Sequence, residues 1–254
     1  ENPNVRCRLV ARQMRQHGEE AIFAPTPPLE ALRSVLCIAT TSFPGEPLKS
    51  RDPTSEQRFQ NSFVDISRAY FNAKCDPDKP TYVALPPEDP DHKTKCGLLM
   101  RHMYGTRAAA DGWQQEYAST LVDHLGFEQG EACPCVFVHK ARRLTCSVHG
   151  DDFTTAGPKE ELDWFETTLE SHYELKRGGR LGPGVADDKE TTVLNRVVRW
   201  TEEGVEYEAD PRQVEKLLES LELDNANSVA TPGQKCLPDQ ILAEVALETV
   251  SYTH

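Results

Sequence analysis

Apolar positions recur along the chain in two periods, and the switches between them set the expected order of elements. Leu29, Leu32, Leu36 and Ala39 follow a proline at helical spacing, so residues 28–42 are predicted to form a helix. Ala109, Trp113, Tyr117, Leu121 and Leu125 recur at every fourth position over 107–127, and Gly126 closes this second amphipathic helix. A third helix is predicted over 158–175, with Pro158 early and acids in its first turn. A fourth covers 211–223, with Val214, Leu217, Leu218 and Leu221 expected inward. Elsewhere the pattern reads as strand. Residues 5–12 alternate apolar and basic at first; 63–66 are strand-like before the chain turns toward a helix near residue 72. A short strand opens 81–91 and runs into a proline-rich loop, and 96–105 are apolar up to Gly105. Residues 134–140 and 144–157 predict three short strands, the last two forming a hairpin, and 191–209 predict a hairpin turning at Glu203–Gly204. The segment "FPGEPLKSRDPTSEQ", 43–57, is loop by its prolines, glycine and charges. No repeat or low-complexity tract interrupts this order. Strands and helices mix without a regular βαβ alternation, which predicts an α+β fold.

Composition changes that picture little. A chain of 254 residues accommodates one large core or two to three lobes of about 100–150 residues or less. Apolar runs such as "VLCIA", 35–39, fall far short of the roughly 18 residues of a membrane span. The N-terminus has no initiator Met, no basic leader and no apolar signal core, so a fragment or processed product that is not secreted is expected. The eight cysteines are scattered, and "CPC" at 133–135 does not match zinc-site spacing. Free thiols in a reducing, intracellular compartment (cytoplasm or nucleus) are expected.

Charge is more informative by its distribution than by its total. The net −13 argues against a nucleic-acid partner, yet residues 201–254 hold twelve acids against three bases and so carry −9 of it. In the rest the bases cluster: Arg6, Arg8, Arg12 and Arg15; Arg101 and Arg107; Lys140, Arg142 and Arg143; Lys176, Arg177 and Arg180. A local basic strip can bind phosphate whatever the global charge, and each strip can equally be a solvated face.

The candidate chemistry lies in "RLTCSVHGDDFTTAG", 143–157, where Asp151 and Asp152 sit between two apolar runs at a hairpin tip. A second pair, Asp187 and Asp188, lies in a polar, glycine-rich loop of the kind where Asp-Asp usually forms turns. Asp65 ends the strand-like run "SFVD" in the same relation to its strand. Taken alone it reads first as an N-cap for the helix that follows. Carboxylates at the ends of neighbouring strands can converge on hard divalent cations. Two such ions about 3.5–4 Å apart stabilise the attacking and leaving oxygens of phosphoryl transfer. Without cations three acids would repel one another and raise one another's pKa.

The blocks "RCRLVARQMRQ", "FAPTPPLEALRSVL", "FVDISRAYFNA", "VALPPEDP", "LLMRHMYGTRAAADGWQQEY", "CPCVFVH", "SVHGDDFTTAG" and "VLNRVVRW…GVEYEADPRQVEKLLESLEL…VATPG" run in the order found in Ty1/copia-type retrotransposon reverse transcriptases. The chain resembles that family from residue 5 to about 233. The resemblance implies a right-hand polymerase with a ferredoxin-like antiparallel palm sheet. Its parts would be fingers at 1–62, a palm strand and helix start with the first catalytic Asp at 63–75, and fingers or connection at 76–106. Residues 107–208 would be palm with the catalytic hairpin and primer grip, 209–235 the start of a thumb, and 236–254 an acidic tail. It implies Asp65, Asp151 and Asp152 as catalytic residues and as ligands of two Mg²⁺ or Mn²⁺ ions. Arg6 and Arg8 would meet the triphosphate, Tyr70 would lie under the incoming sugar, and Gly105 would let backbone pass near the nascent base pair. His149, Gly150, Asn195 and Arg196 would contact the primer. The implied partners are an RNA/DNA template-primer, dNTPs and the integrase and ribonuclease H of a polyprotein, with no membrane.

Two departures from that pattern stand out. Where the family commonly has Tyr-Val-Asp-Asp, this chain has His149-Gly150-Asp151-Asp152, and the tail after Gly233 matches nothing in it. The expected activity is therefore RNA-directed DNA synthesis. The alternative is an inactive retroelement remnant serving as a binding or structural component of a larger assembly. A two-metal nuclease would need further acids or a His beside the triad, which the pattern does not supply.

Overall fold

A computed structural model describes residues 9–14, 26–41, 58–223 and 226. Residues 1–209 form one compact unit and 210–254 a second. In chain order the first unit contains α1 (Leu29–Ile38), β1 (Phe59–Ile66), a 3₁₀ turn (Ala69–Asn72), β2 (Tyr82–Ala84), β3 (Cys96–Leu98) and α2 (Ala109–Ser119). A π-helical turn (Thr120–His124) extends α2, followed by β4 (Glu128–Gln129), β5 (Val136–His139), β6 (Leu144–His149), β7 (Asp152–Pro158) and α3 (Lys159–Glu170). Strands β8 (Leu175–Leu181), β9 (Glu190–Val193), β10 (Arg196–Trp200) and β11 (Val205–Tyr207) complete it. Every ladder is antiparallel, and the mixture of segregated helices and antiparallel sheets is α+β as expected.

The principal sheet has the order β4-β5-β6-β7-β1-β8, so β1 lies between β7 and β8 although it precedes both by many residues. Period-two alternation on β1 and β7 decides what each face covers. Val64 and Ile66 point with Val148 and Phe153 into one core, packed with Trp113, Tyr117 and Leu121 after α2 begins and with Leu162, Phe165 and Leu169 of α3. On the other face Phe63 joins Leu32 and Leu36 of α1 with Val193 and Val198 of the three-stranded sheet β11-β10-β9. Helix α1 thus buries the stripe its sequence promised, with Val35 added to it.

Several expectations need correction. The helix expected to reach residue 175 ends at Glu170, and 175–181 form an unanticipated sheet strand, β8. The single hairpin expected at 191–209 is three strands, because an additional turn forms at Leu194 and Asn195, with φ of 49° and 63°. Positive φ at both central residues is the mark of a type I′ turn, and leucine is not a residue that announces one. Strand β1 also begins four residues before the expected 63–66. Half of the strand expected at 5–12, residues 5–8, lies outside the described residues. Its described part takes no regular form, although Ala11 N–H donates to Tyr104 O (2.7 Å) and Gln13 N–H to Gly105 O (3.1 Å).

In the second unit α4 (Pro211–Ser220) is capped by Asp210, whose carboxylate accepts from the Arg212 N–H at 3.1 Å. Val214, Leu217, Leu218 and Leu221, expected inward, are exposed. Among the described residues no helix is long and apolar enough to cross a membrane.

Strand β8 is held to α3 by charge. Glu166, buried on α3, accepts from Ser62 Oγ (2.5 Å), Arg177 Nε (3.0 Å) and Arg180 Nε (2.7 Å), while Glu170, Asp163 and Gln60 Oε1 accept from the other guanidinium nitrogens. Removing a buried acceptor strands its donors, so Glu166→Ala should cost about 3 kcal/mol, read as a lowered urea midpoint with unchanged slope.

Candidate functional site

Antiparallel register assembles the site. Asp65, next to last on β1, pairs with Asp152, the first residue of β7, and on its other side with Lys176 of β8. Across the hairpin His149 pairs with Asp152. Directly opposed residues share one face of a sheet, so His149, Asp152, Asp65 and Lys176 form a single row across β6, β7, β1 and β8. The adjacent row is apolar on β6, β7 and β1, where Val148, Phe153 and Val64 face the opposite core, and ends on β8 at Arg177. The two acids at the centre of the polar row therefore cannot turn inward.

The tip itself is short. Only Gly150 and Asp151 separate the paired His149 and Asp152. Gly150 has φ 65°, and a Cβ there would meet nothing within 4 Å, so the glycine answers a backbone requirement and not a shortage of space. Two hydrogen bonds pin the tip from outside the hairpin. Trp113 Nε1–H of α2 donates to Gly150 O (2.8 Å), and Ile66 N–H donates to Asp151 O (2.9 Å). Trp113 reads in the sequence only as part of a buried helical stripe; nothing there announced this anchoring role.

Clefts open on the carboxylates from several sides, one of them lined by Asp65 and Asp152 together with Thr191 and Thr192. Asp65 and Asp151 open, with Lys176, into a cleft of about 440 Å³ that is also walled by Leu9, Phe71 and Tyr104. Asp152 and His149 open into a smaller, apolar one beside Leu29 and Leu32 of α1 and Val193 and Leu194 of the β9–β10 turn. Leu194 thus places the turn that carries Asn195 and Arg196 next to Asp152. The Arg196 guanidinium lies 5.6 Å from the Tyr207 ring centroid.

Electrostatics follow from the row. Burial pushes the Asp152 carboxyl above its ordinary pKa, and the neighbouring Asp151 and Asp65 carboxylates push it further. His149 and Lys176, at the two ends of the row, act in the opposite direction. Lys176 Nζ donates to Asp65 Oδ1 at 2.9 Å. Tyr70 lies on the 3₁₀ turn after β1, its ring 4.6 Å from that of Tyr104. Its hydroxyl is also pushed up, by burial first and then by Asp151 and Tyr104.

Other expected residues fall as follows. Gly105 has φ 86°, and a Cβ on it would lie 1.8 Å from Ala11 O; the close approach that excludes any side chain is to residues 9–14 of the chain itself. Arg6 and Arg8 lie outside the described residues. The basic strip at 176–180 is consumed internally, Arg177 and Arg180 by α3 carboxylates and Lys176 by Asp65. Arg142 likewise pairs with Glu161 at 2.5 Å and covers the Trp164 ring at 3.7 Å. The Asp187–Asp188 pair ties its loop together. Asp187 accepts from Gly184 N–H (2.6 Å) and Gln60 Nε2 (2.6 Å), and Asp188 from Arg180 N–H (3.0 Å). Only the pair at 151–152 faces a third carboxylate.

Among the described residues no three His, Cys, Asp or Glu side chains approach closely enough to form a finished metal site. The donor set nonetheless fits a hard divalent cation: oxygen-only ligands, two of them in facing register, with an ammonium already seated on one. Because the folded state holds the Asp152 proton more tightly than the unfolded chain does, Asp152 lowers stability as pH rises past the ordinary carboxylate range, and the loss persists at neutral pH. Asp152→Asn is therefore expected to raise the Tm of the protein in EDTA at neutral pH. The difference should close in a series of thermal melts as pH falls below the ordinary carboxylate pKa of about 4.

Comparison with known proteins agrees with this geometry at the level of family. No curated protein matches the sequence. The family model described as reverse transcriptase (RNA-dependent DNA polymerase) matches residues 2–235, nearly the whole chain. The chain with its facing Asp65 and Asp152 belongs to the reverse transcriptase family.

Proposed function

We propose that this chain is the RNA-directed DNA polymerase segment of a Ty1/copia-type retrotransposon polyprotein, adding dNTPs to a primer 3′-OH on a bound template. The observation that carries the reading is the register that sets Asp65 against Asp152, with Asp151 beside them at the mouth of a cleft. Family membership supports the polymerase class. The ordered blocks from residue 5 to about 233 support the Ty1/copia type.

In this reading Asp65, Asp151 and Asp152 hold two Mg²⁺ or Mn²⁺ ions. Such ions, when bound, supply a lowered pKa for the attacking hydroxyl and charge stabilisation for the leaving pyrophosphate. The chain supplies position and environment. The tip bonds from Trp113 and Ile66 hold the backbone at Gly150 and Asp151 in place before substrate arrives, which lowers the cost of ordering the tip. Tyr70, braced by Tyr104, lies under the incoming sugar and selects against a ribose 2′-OH. Arg6 and Arg8 meet triphosphate oxygens, and the backbone at Gly105 passes close to the nascent base pair. His149, Gly150, Asn195 and Arg196 contact the primer strand. Residues 1–62 and 76–106 act as fingers, 63–75 and 107–208 as palm, and 209–235 as the start of a thumb, with 236–254 an acidic tail. The integrase and ribonuclease H of the same polyprotein are the expected neighbours.

The reading is tested by primer extension on an RNA template with an annealed DNA primer in Mg²⁺ and then Mn²⁺. Wild type should extend, and Asp151→Asn should lose at least about 100-fold in rate, the order expected for deleting one electrostatic stabiliser. A folded wild type that binds template-primer and extends nothing in either metal would sink the polymerase and leave a binding component. Tyr70→Ala should keep dNTP extension while raising the rNTP share of products. Unchanged discrimination would remove Tyr70 from the sugar-selecting role.

A further inference from the structure

Lys176 has no counterpart in the chemistry described above, and its placement is specific. The other two bases on its strand are spent on α3: Arg177 on Glu166 and Glu170, and Arg180 on Glu166 and Asp163. Alternation along β8 turns Lys176 to the face opposite Arg177, and a one-residue register shift between Arg177 and Arg180 brings Arg180 back to the face of Arg177; register then sets Lys176 against Asp65. Its ammonium donates to Asp65 Oδ1 at 2.9 Å and borders the same cleft as Asp151. The side chains are 65% and 39% exposed, so the pair adds little to folding. Its effect is local. It places one positive charge beside two facing carboxylates, on an oxygen that a cation would need.

We propose that Lys176 is a built-in counter-ion for Asp65, which holds the metal-free site together and must be displaced, or must share its oxygen, when a divalent cation binds. The inference rests on the reading of Asp65, Asp151 and Asp152 as metal ligands. In the exchange a hydrated divalent ion takes the place of the singly charged ammonium on the carboxylate, and the ammonium swings to solvent on its flexible four-carbon stem. The alkyl stem makes this possible, since a lysine ammonium is a mobile point charge where an arginine fork would be held in two directions. Lys176 is in this sense a positioning residue that sets the cation concentration at which the site fills.

Isothermal titration of the full chain with Mn²⁺ alone, without nucleotide or nucleic acid, tests it. Wild type, K176Q, K176R and Asp65→Asn are compared, each checked for folding by circular dichroism. K176Q should bind Mn²⁺ with a Kd lower by about three- to tenfold, since a divalent ion no longer competes with or repels a neighbouring ammonium. K176R, which keeps the charge, should bind no more tightly than wild type. A lysine with a purely structural role would lower the Tm of K176Q and leave its Kd unmoved. K176Q binding equal to or weaker than wild type, with both abolished by Asp65→Asn, overturns the counter-ion role alone. Binding that survives Asp65→Asn, or no binding by folded wild type, overturns the metal-site reading and the counter-ion role with it.

Discussion

Two like charges face each other across a backbone ladder, and much of the molecule can be understood as what holds them there. Directly opposed residues on neighbouring antiparallel strands have Cβ atoms about 4.5–5.5 Å apart, and like charges at that spacing repel by about 3–4 kcal/mol at a surface-like dielectric. Asp65 and Asp152 cannot relax away from each other by turning over, because a one-residue slip would carry Val64, Ile66 and Phe153 out of their core. The repulsion is therefore small beside the hydrophobic burial that sets the register. Packing imposes the juxtaposition; electrostatics then acts on it, through Lys176 and His149 at the two ends of the row.

The same hierarchy governs the surroundings. Strand β1 is clamped on one side by β7 and on the other by β8, and β8 is itself secured by the Glu166 network with Ser62, Arg177 and Arg180. The hairpin tip is short, its backbone requirement met by Gly150 and its position fixed by Trp113. Charged side chains that looked available for a phosphate backbone are thus largely occupied in holding the sheet. What stays open is a cleft whose polar end is Asp65, Asp151 and Lys176 and whose wall is Leu9, Phe71 and Tyr104. A site organised in this way favours ligands that bring positive charge to the row.

Much of the site was legible because its elements are local. The helix at 28–42, the amphipathic helix beginning near 107 and the hairpin at 144–157 each follow from spacing that one chain segment contains. What the residues missed is equally physical. Leu194 adopts a positive φ because its side chain packs beside Leu29 and Val193 and closes a β9–β10 turn, a tertiary cause without a local sign. Strand β8, with its two central glycines, pairs with β1 over a hundred residues away, and "ELKRGGRL" alone gives no reason to form a strand.

The sequence by itself determined the positions of the four helices, the hairpin with an Asp-Asp tip between apolar runs and, through its ordered motifs, the family. Those properties depend on neighbours within a few residues, or on a pattern inherited whole. Only the tertiary structure decided that Asp65 opposes Asp152, that Lys176 and not Arg177 meets Asp65, and that Trp113 anchors Gly150. Each of these joins segments 37 or more residues apart, and the joining is settled by which face of a sheet must be buried. A linear pattern can display that choice only after the strands have found their partners.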